Sequence, residues 1–190
     1  MTKRSKWTAA GLAMLLCLTG GALQAQPLKN ENLLVGVPQG FKPAFKGAKN
    51  GVNMQEFIPA DETVQNWTEM VTVQVFLSRK DLEPAPFLGA IRQKWGGSCD
   101  GTTATPVVTG KVNGYDAAAI LLRCPLLTST GKPEFTILKA IKGNDSFYVV
   151  QRAVRSTPTP EHLETMKKYI ESVSVCDSRL SAQACPTVKK

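Results

Sequence analysis

Cysteine, histidine and paired carboxylates are the side chains through which a small protein does covalent or metal chemistry. The chain has five cysteines and one histidine. Cys17 lies in an apolar N-terminal run, which leaves Cys99, Cys124, Cys176 and Cys185. They contain no Cys-x-x-Cys pair, and His162 stands alone, so the set does not match a zinc site. An even set of cysteines in an exported chain reads as disulfides. Of the three possible pairings, Cys99–Cys124 and Cys176–Cys185 are expected, because both join near neighbours. Each would contribute roughly 2–4 kcal/mol in the loop-entropy model. Oxidised sulfurs exclude a Cys–His nucleophile pair. His162 falls near a helix start, where an exposed side chain is expected, and no triad partners can be identified for it. No metal and no cofactor are expected.

The carboxylates Glu56, Asp61, Glu62 and Asp116 sit at or near strand ends. A carboxylate-based hydrolase needs two such groups facing each other across a cleft, and strand ends carry acids commonly. No glycine loop suited to phosphate occurs, since Gly96-Gly97-Ser98 follows a helix and reads as its stop. Asn66-Trp67-Thr68 matches a glycosylation acceptor, a pattern that often arises by chance. Trp67, Trp95, Tyr115 and Tyr148 are large amphipathic rings able to line a binding groove. Arg92, Lys139 and Arg152 are the candidate polar anchors beside them. As core fillers the rings would be buried. As ordinary strand residues, Lys139 and Arg152 would face solvent.

The elements that must position these groups follow from periodicity and turn chemistry. Leu33 to Val37, closed by Pro38, reads as a first strand, followed by a loop through Gly40, Pro43 and Gly47. Val52 to Ile58 reads as a second strand. Met70 to Leu77 alternates, with Val71, Val73, Val75 and Leu77 on one face. Pro84 and Pro86 open a helix carrying Phe87, Leu88, Ile91 and Trp95, which Gly96-Gly97 stops. Pro106 to Gly110 reads as a strand, and Asn113-Gly114 favours a tight hairpin turn. Tyr115 to Cys124 is apolar enough for a central strand. Glu134 to Ile141 and Phe147 to Val154 form a second hairpin around Gly143-Asn144-Asp145. Thr159 then caps a closing helix that begins at Pro160 and Glu161. Leu163, Met166, Ile170 and Val173 make its apolar stripe. The expected class is α+β, a central antiparallel sheet of about six to seven strands packed with two helices.

Export is read from the first residues. Lys3, Arg4 and Lys6 precede an apolar run from Trp7 to Leu23, and small Ala25 follows. This matches a secretory signal peptide over 1–25, cleaved before Gln26. The run is broken by Thr19, Gly20 and Gly21, and is too short for the ~20 apolar residues of a membrane span. Leu16 before Cys17 argues against a lipoprotein. Residues 26–190 are then a single exported domain with no transmembrane segment, periplasmic or secreted and of bacterial origin. The whole chain has 23 basic and 15 acidic residues; without Lys3, Arg4 and Lys6 the net charge falls to +5. The remaining bases are scattered, which does not fit the basic stripe of a nucleic-acid binder.

The order of elements, with Gly114-Tyr115, Phe147-Tyr148 and a closing helix running into Ser172-Val173-Ser174-Val175, resembles the PsbP-like fold family. The resemblance spans about Asn32 to Val175, and the disulfides depart from it. It implies an accessory or binding protein without a catalytic centre. The expected function is therefore a non-enzymatic exported accessory or interaction protein. Its partner would be an envelope protein or a small ligand, and the chain itself a monomer. The alternatives are a carrier holding a small apolar or anionic ligand between sheet and helix, and a carboxylate-based hydrolase.

Overall fold

The computed structural model describes residues 28–186, so the expected signal peptide lies outside the described residues. The chain runs through β1 (Glu31–Leu34), β2 (Phe41–Lys49), β3 (Val52–Pro59), β4 (Glu69–Leu77) and helix α1 (Pro84–Ser98). Then come β5 (Cys99–Asp100), β6 (Thr103–Ala104), β7 (Val108–Val112), β8 (Tyr115–Leu127), β9 (Lys132–Lys142) and β10 (Ser146–Val154). Helix α2 (Pro160–Ser172), β11 (Ser174–Asp177) and a short 3-10 turn at Ser181–Gln183 close the fold. The class is α+β, as the element pattern predicts.

The main sheet has nine strands in the order β2-β3-β4-β10-β9-β8-β5, with β6 and β7 also paired along β8. The count exceeds six to seven because the segment read as a loop through Pro43 and Gly47 is strand β2, and because the two-residue strands β5 and β6 add to the β8 edge, while the expected first strand, β1, lies outside this sheet. Strand β2 pairs with β3 across Asn50 (φ 52) and Gly51 (φ 75). The expected Asn113–Gly114 turn between β7 and β8 has the same left-handed geometry, with φ of 48 and 84. Positive φ at both central residues matches the right-handed twist of the strands it joins. A separate two-stranded sheet pairs β1 with β11.

Period two decides what each helix covers. Val71, Val73, Ile137, Ile141, Val150 and Val154 lie on one face and pack against Met166, Ile170 and Val173 of α2. Ala118, Ile120, Leu122, Leu138, Ala140, Phe147 and Val149 lie on the other and pack against Leu88 of α1. Helix α2 starts as expected, with the Thr159 hydroxyl accepting from the His162 N–H at 3.2 Å. Helix α1 has no side-chain cap and runs through Gly96 and Gly97 to Ser98. It ends where Cys99 turns into β5, which pairs with β8. The structure joins Cys99 to Cys124 (Cα–Cα 5.8 Å) and Cys176 to Cys185 (Cα–Cα 4.8 Å).

Candidate functional site

Lys139 does not face solvent. It is in phase with Ile137 and Ile141, on the face that α2 covers, and is 7% exposed. Its Nζ donates to the carbonyls of Ile170 (3.1 Å), Glu171 (3.2 Å) and Val173 (2.7 Å). The last carbonyls of a helix have no intrahelical donor and carry the negative end of its dipole. A buried ammonium satisfies both needs. Burial pushes the lysine's pKa down, an effect that nearby Glu171 opposes.

Arg152 is likewise buried rather than solvent-facing, because it is in phase with Val150 and Val154. It donates to Glu69 Oε2 at 3.0 Å, and its guanidinium lies 5.3 Å from the ring centre of Tyr169. His162 Nε2 lies 2.5 Å from the second Glu69 oxygen, and its side chain is 30% exposed. The histidine expected on the surface is thus half-buried, because Glu69 sits under the first turn of α2. Burial pushes the Tyr169 hydroxyl up to about 12, with Arg152 opposing the shift.

A polar cluster lies at the turn of the β9–β10 hairpin. The Glu31 carboxylate on β1 accepts the backbone N–H groups of Asn144 (2.5 Å), Asp145 (3.0 Å) and Ser146 (3.2 Å). It also accepts the Tyr148 hydroxyl at 2.9 Å. Successive N–H groups in a turn make an anion-binding concavity, and here the anion is the chain's own glutamate. A Cβ on Gly143 would collide with this carboxylate, so the close approach requires glycine. Burial and the bond to Glu31 raise the Tyr148 pKa well above that of a free phenol. Tyr115 is 5% exposed and its hydroxyl has no hydrogen-bond partner among the described residues; burial, then Glu31 and Asp177, push it up to about 12. Beside them Arg179 bridges Asp145 (2.7 Å) and Asp177 (2.5 Å). The Arg179 guanidinium holds the Asp177 carboxyl below the usual carboxylate range.

The other candidates lie on the opposite face. Trp67 is 7% exposed, with the Arg155 guanidinium 3.8 Å from its ring centre. Glu134, buried nearby, has its pKa raised by desolvation, which Arg155 opposes. Trp95 packs half-buried against the core beneath α1, and Arg92 is exposed. The seven candidate residues therefore do not converge on one groove. Tyr148 is engaged by Glu31, Arg152 by Glu69 and Lys139 by the end of α2. Of the carboxylates singled out from sequence, Asp116 pairs with Lys111 at 2.7 Å and Glu62 accepts from Thr68 at 2.6 Å. Glu56 lies on β3, where burial raises its pKa. The contacts that sequence reading missed, Glu31 and Glu69, reach partners 83 to 117 residues away, for which local pattern gives no signal.

Between sheet and α2 the core side chains pack against one another. Surface depressions lie elsewhere: about 210 Å³ beside the start of α1, about 150 Å³ on β7 and β8, and about 450 Å³ at the β2–β3 hairpin. Among the described residues no cluster of His, Cys, Asp and Glu could hold a metal ion. No described helix is long and apolar enough to cross a membrane.

No family model matches the chain, and no curated protein matches it. Among solved structures it is similar to cyanobacterial PsbP from Synechocystis, with TM-score 0.49 at 14% identity, covering 83% of this chain and 98% of that one. A protein of unknown function from Pseudomonas aeruginosa aligns with TM-score 0.46 at 10% identity, over 75% of this chain and 95% of that one. LpqN of Mycobacterium tuberculosis, described as involved in cell envelope biogenesis, aligns with TM-score 0.43 at 10% identity, over 79% and 89%. The likeness to PsbP-like proteins that the element order suggested is one of overall fold.

Proposed function

We propose that the protein is an exported, non-enzymatic accessory or interaction module of the cell envelope, periplasmic or secreted. One observation carries this reading. Buried Lys139 and Arg152 and half-buried Glu31 each join one element to another, and buried Asp177 holds Arg179, which reaches across to Asp145 in the β9–β10 turn. Two disulfides in so small a domain support work in an oxidising compartment. Met166, Ile170 and Val173 of α2 pack closely on the sheet, and the depressions described above open at the surface, which supports recognition there.

The test is made in intact host cells expressing the full chain. Fractionation with intact mass measurement is expected to find a chain lacking residues 1–25, with four cysteines alkylated only after reduction. Lysine cross-linking in the same cells is expected to give one discrete adduct with another envelope protein. An uncut cytoplasmic chain with freely alkylating thiols, or an exported chain that forms no adduct, overturns the proposal.

A further inference from the structure

The two edges of the main sheet are built differently. Strand β2 carries the usual defences of an edge against pairing with another chain. Pro43 offers no N–H, the register shifts between Pro43 and Phe45, and Lys42, Lys46 and Lys49 line the strand. Strand β7, on the far side, has none of these except Lys111, whose ammonium is neutralised by Asp116. Among the described residues β7 pairs only with β8. Val108 is 67% exposed, and Thr109, Gly110 and Lys111 are also exposed.

The backbone directions follow from the turn. In a hairpin closed by a two-residue turn, the residues flanking the turn, here Val112 and Tyr115, form a hydrogen-bonded pair. Bonded and non-bonded pairs then alternate. Val112, Gly110 and Val108 therefore turn their N–H and C=O groups toward β8, while Thr109 and Lys111 turn theirs outward. The depression of about 150 Å³ lies beside this edge, lined by small Gly110, Ala117 and Ala119 together with Val108 and Val112. Lys139 also lines it, with its ammonium held on the α2 carbonyls.

We infer that β7 is a docking edge that takes an extended segment of a partner protein as a further antiparallel strand. Outward donors and acceptors at alternate residues are matched by the backbone of an extended chain, and the depression takes one apolar side chain from it. Recognition of this kind draws affinity from main-chain bonds and specificity from pockets for alternate side chains. A second copy of this chain fits less well. Five paired residues span roughly 17 Å and would bury on the order of a few hundred Å², whereas a stable dimer needs about 1,000 Å² or more. The inference rests on the reading of the protein as an interaction module and names the surface and the form of the partner.

The probe is an acetylated, amidated octapeptide of alternating threonine and valine with lysine at each end, titrated into the isotope-labelled exported protein. Amide exchange at Thr109 and Lys111 is expected to slow at least tenfold, with chemical shift changes centred on β7 and the β8 alanines. Gly110→Leu is the decisive variant, because a Cβ on Gly110 meets nothing within 4 Å and Gly110 lines the depression. Its side chain would fill the depression and weaken peptide binding at least tenfold at unchanged Tm. Absence of protection at millimolar peptide, or equal binding by Gly110→Leu, overturns the inference. Sedimentation as a dimer with these amides protected before any peptide is added overturns it in favour of a second copy. Failure here with the in-cell adduct intact leaves the interaction reading standing, whereas a missing adduct removes that reading itself.

Discussion

Tyr115, Tyr148 and Tyr169 are the only tyrosines of the chain, and burial raises the pKa of each. A free phenol ionises near 10.0, while Tyr115 and Tyr169 are pushed up to about 12 and Tyr148 further. Below pH 10 both folded and unfolded chains keep these protons, and the full stability is present. Above it the unfolded chain loses protons that the folded chain retains, so stability falls as pH rises toward and through the folded values. Spectrophotometric titration of the native protein is expected to show almost no tyrosinate at pH 10, then a steep rise near 12 accompanied by unfolding. Half-ionisation near pH 10 with far-ultraviolet dichroism unchanged would sink this account of the three hydroxyls. At this scale the sequence already held part of the answer. Lys139 in phase with Ile137 and Ile141, and Arg152 in phase with Val150 and Val154, belong to the apolar face by alternation alone. What alternation cannot show is that the end of α2 lands on one and Glu69 on the other, because both contacts depend on tertiary packing.

The two helices are specified to different degrees. Helix α2 has a capping threonine, proline at its first turn, Glu161 near its positive end and Lys139 on its last carbonyls. Helix α1 has no side-chain cap and no acid in its first turn, and it carries Gly89, Gly96 and Gly97. A Cβ at any of these three glycines meets nothing within 4 Å. Gly89→Ala and Gly96→Ala are therefore each expected to stabilise the protein by about 0.5–1 kcal/mol, by reducing the backbone entropy lost on folding. Thr159→Ala is expected to destabilise it by about 1 kcal/mol through the lost cap. Urea unfolding measures all three, and a destabilising Gly96→Ala would mean that the last turn of α1 needs a backbone freedom that alanine lacks. The elements easiest to read were those with local chemistry, namely α2, β4 and the Asn113–Gly114 hairpin. Strand β2 was missed although Asn50–Gly51 repeats the same turn signal, because Pro43 and Gly47 read as loop. Strands β5 and β6, two residues each, and β11 exist through pairing with distant partners, and their own residues carry no period.

The whole molecule is closed by its staples, and they differ in what they hold. The Cys99–Cys124 bond ties the end of α1 to β8, and its sulfurs belong to residues 2% and 0% exposed. The Cys176–Cys185 bond ties β11 to the tail, whose Gln183 lies over the Asn113–Gly114 turn, closely enough that a Cβ on Gly114 would meet its amide. Cys176 is fully buried, whereas Cys185 is half-buried. Thiol–disulfide exchange needs access to a sulfur, so mild reductant is expected to open Cys176–Cys185 first, in the native state. Cys99–Cys124 should open only as the sheet unfolds. The loop between the tail cysteines is short, so its closure contributes about 3 kcal/mol in the entropy model and the longer loop slightly more. Partial reduction with differential alkylation and peptide mass mapping checks the order. The singly reduced species should keep its sheet signal and show faster amide exchange at Asn113 and Gly114, where Gln183 no longer rests. If Cys99–Cys124 opened first, or both opened together in native buffer, the rigid attachment of α1 to β8 described here would be wrong. The tail bond would then be the structural staple rather than a clasp over the hairpin beside β7.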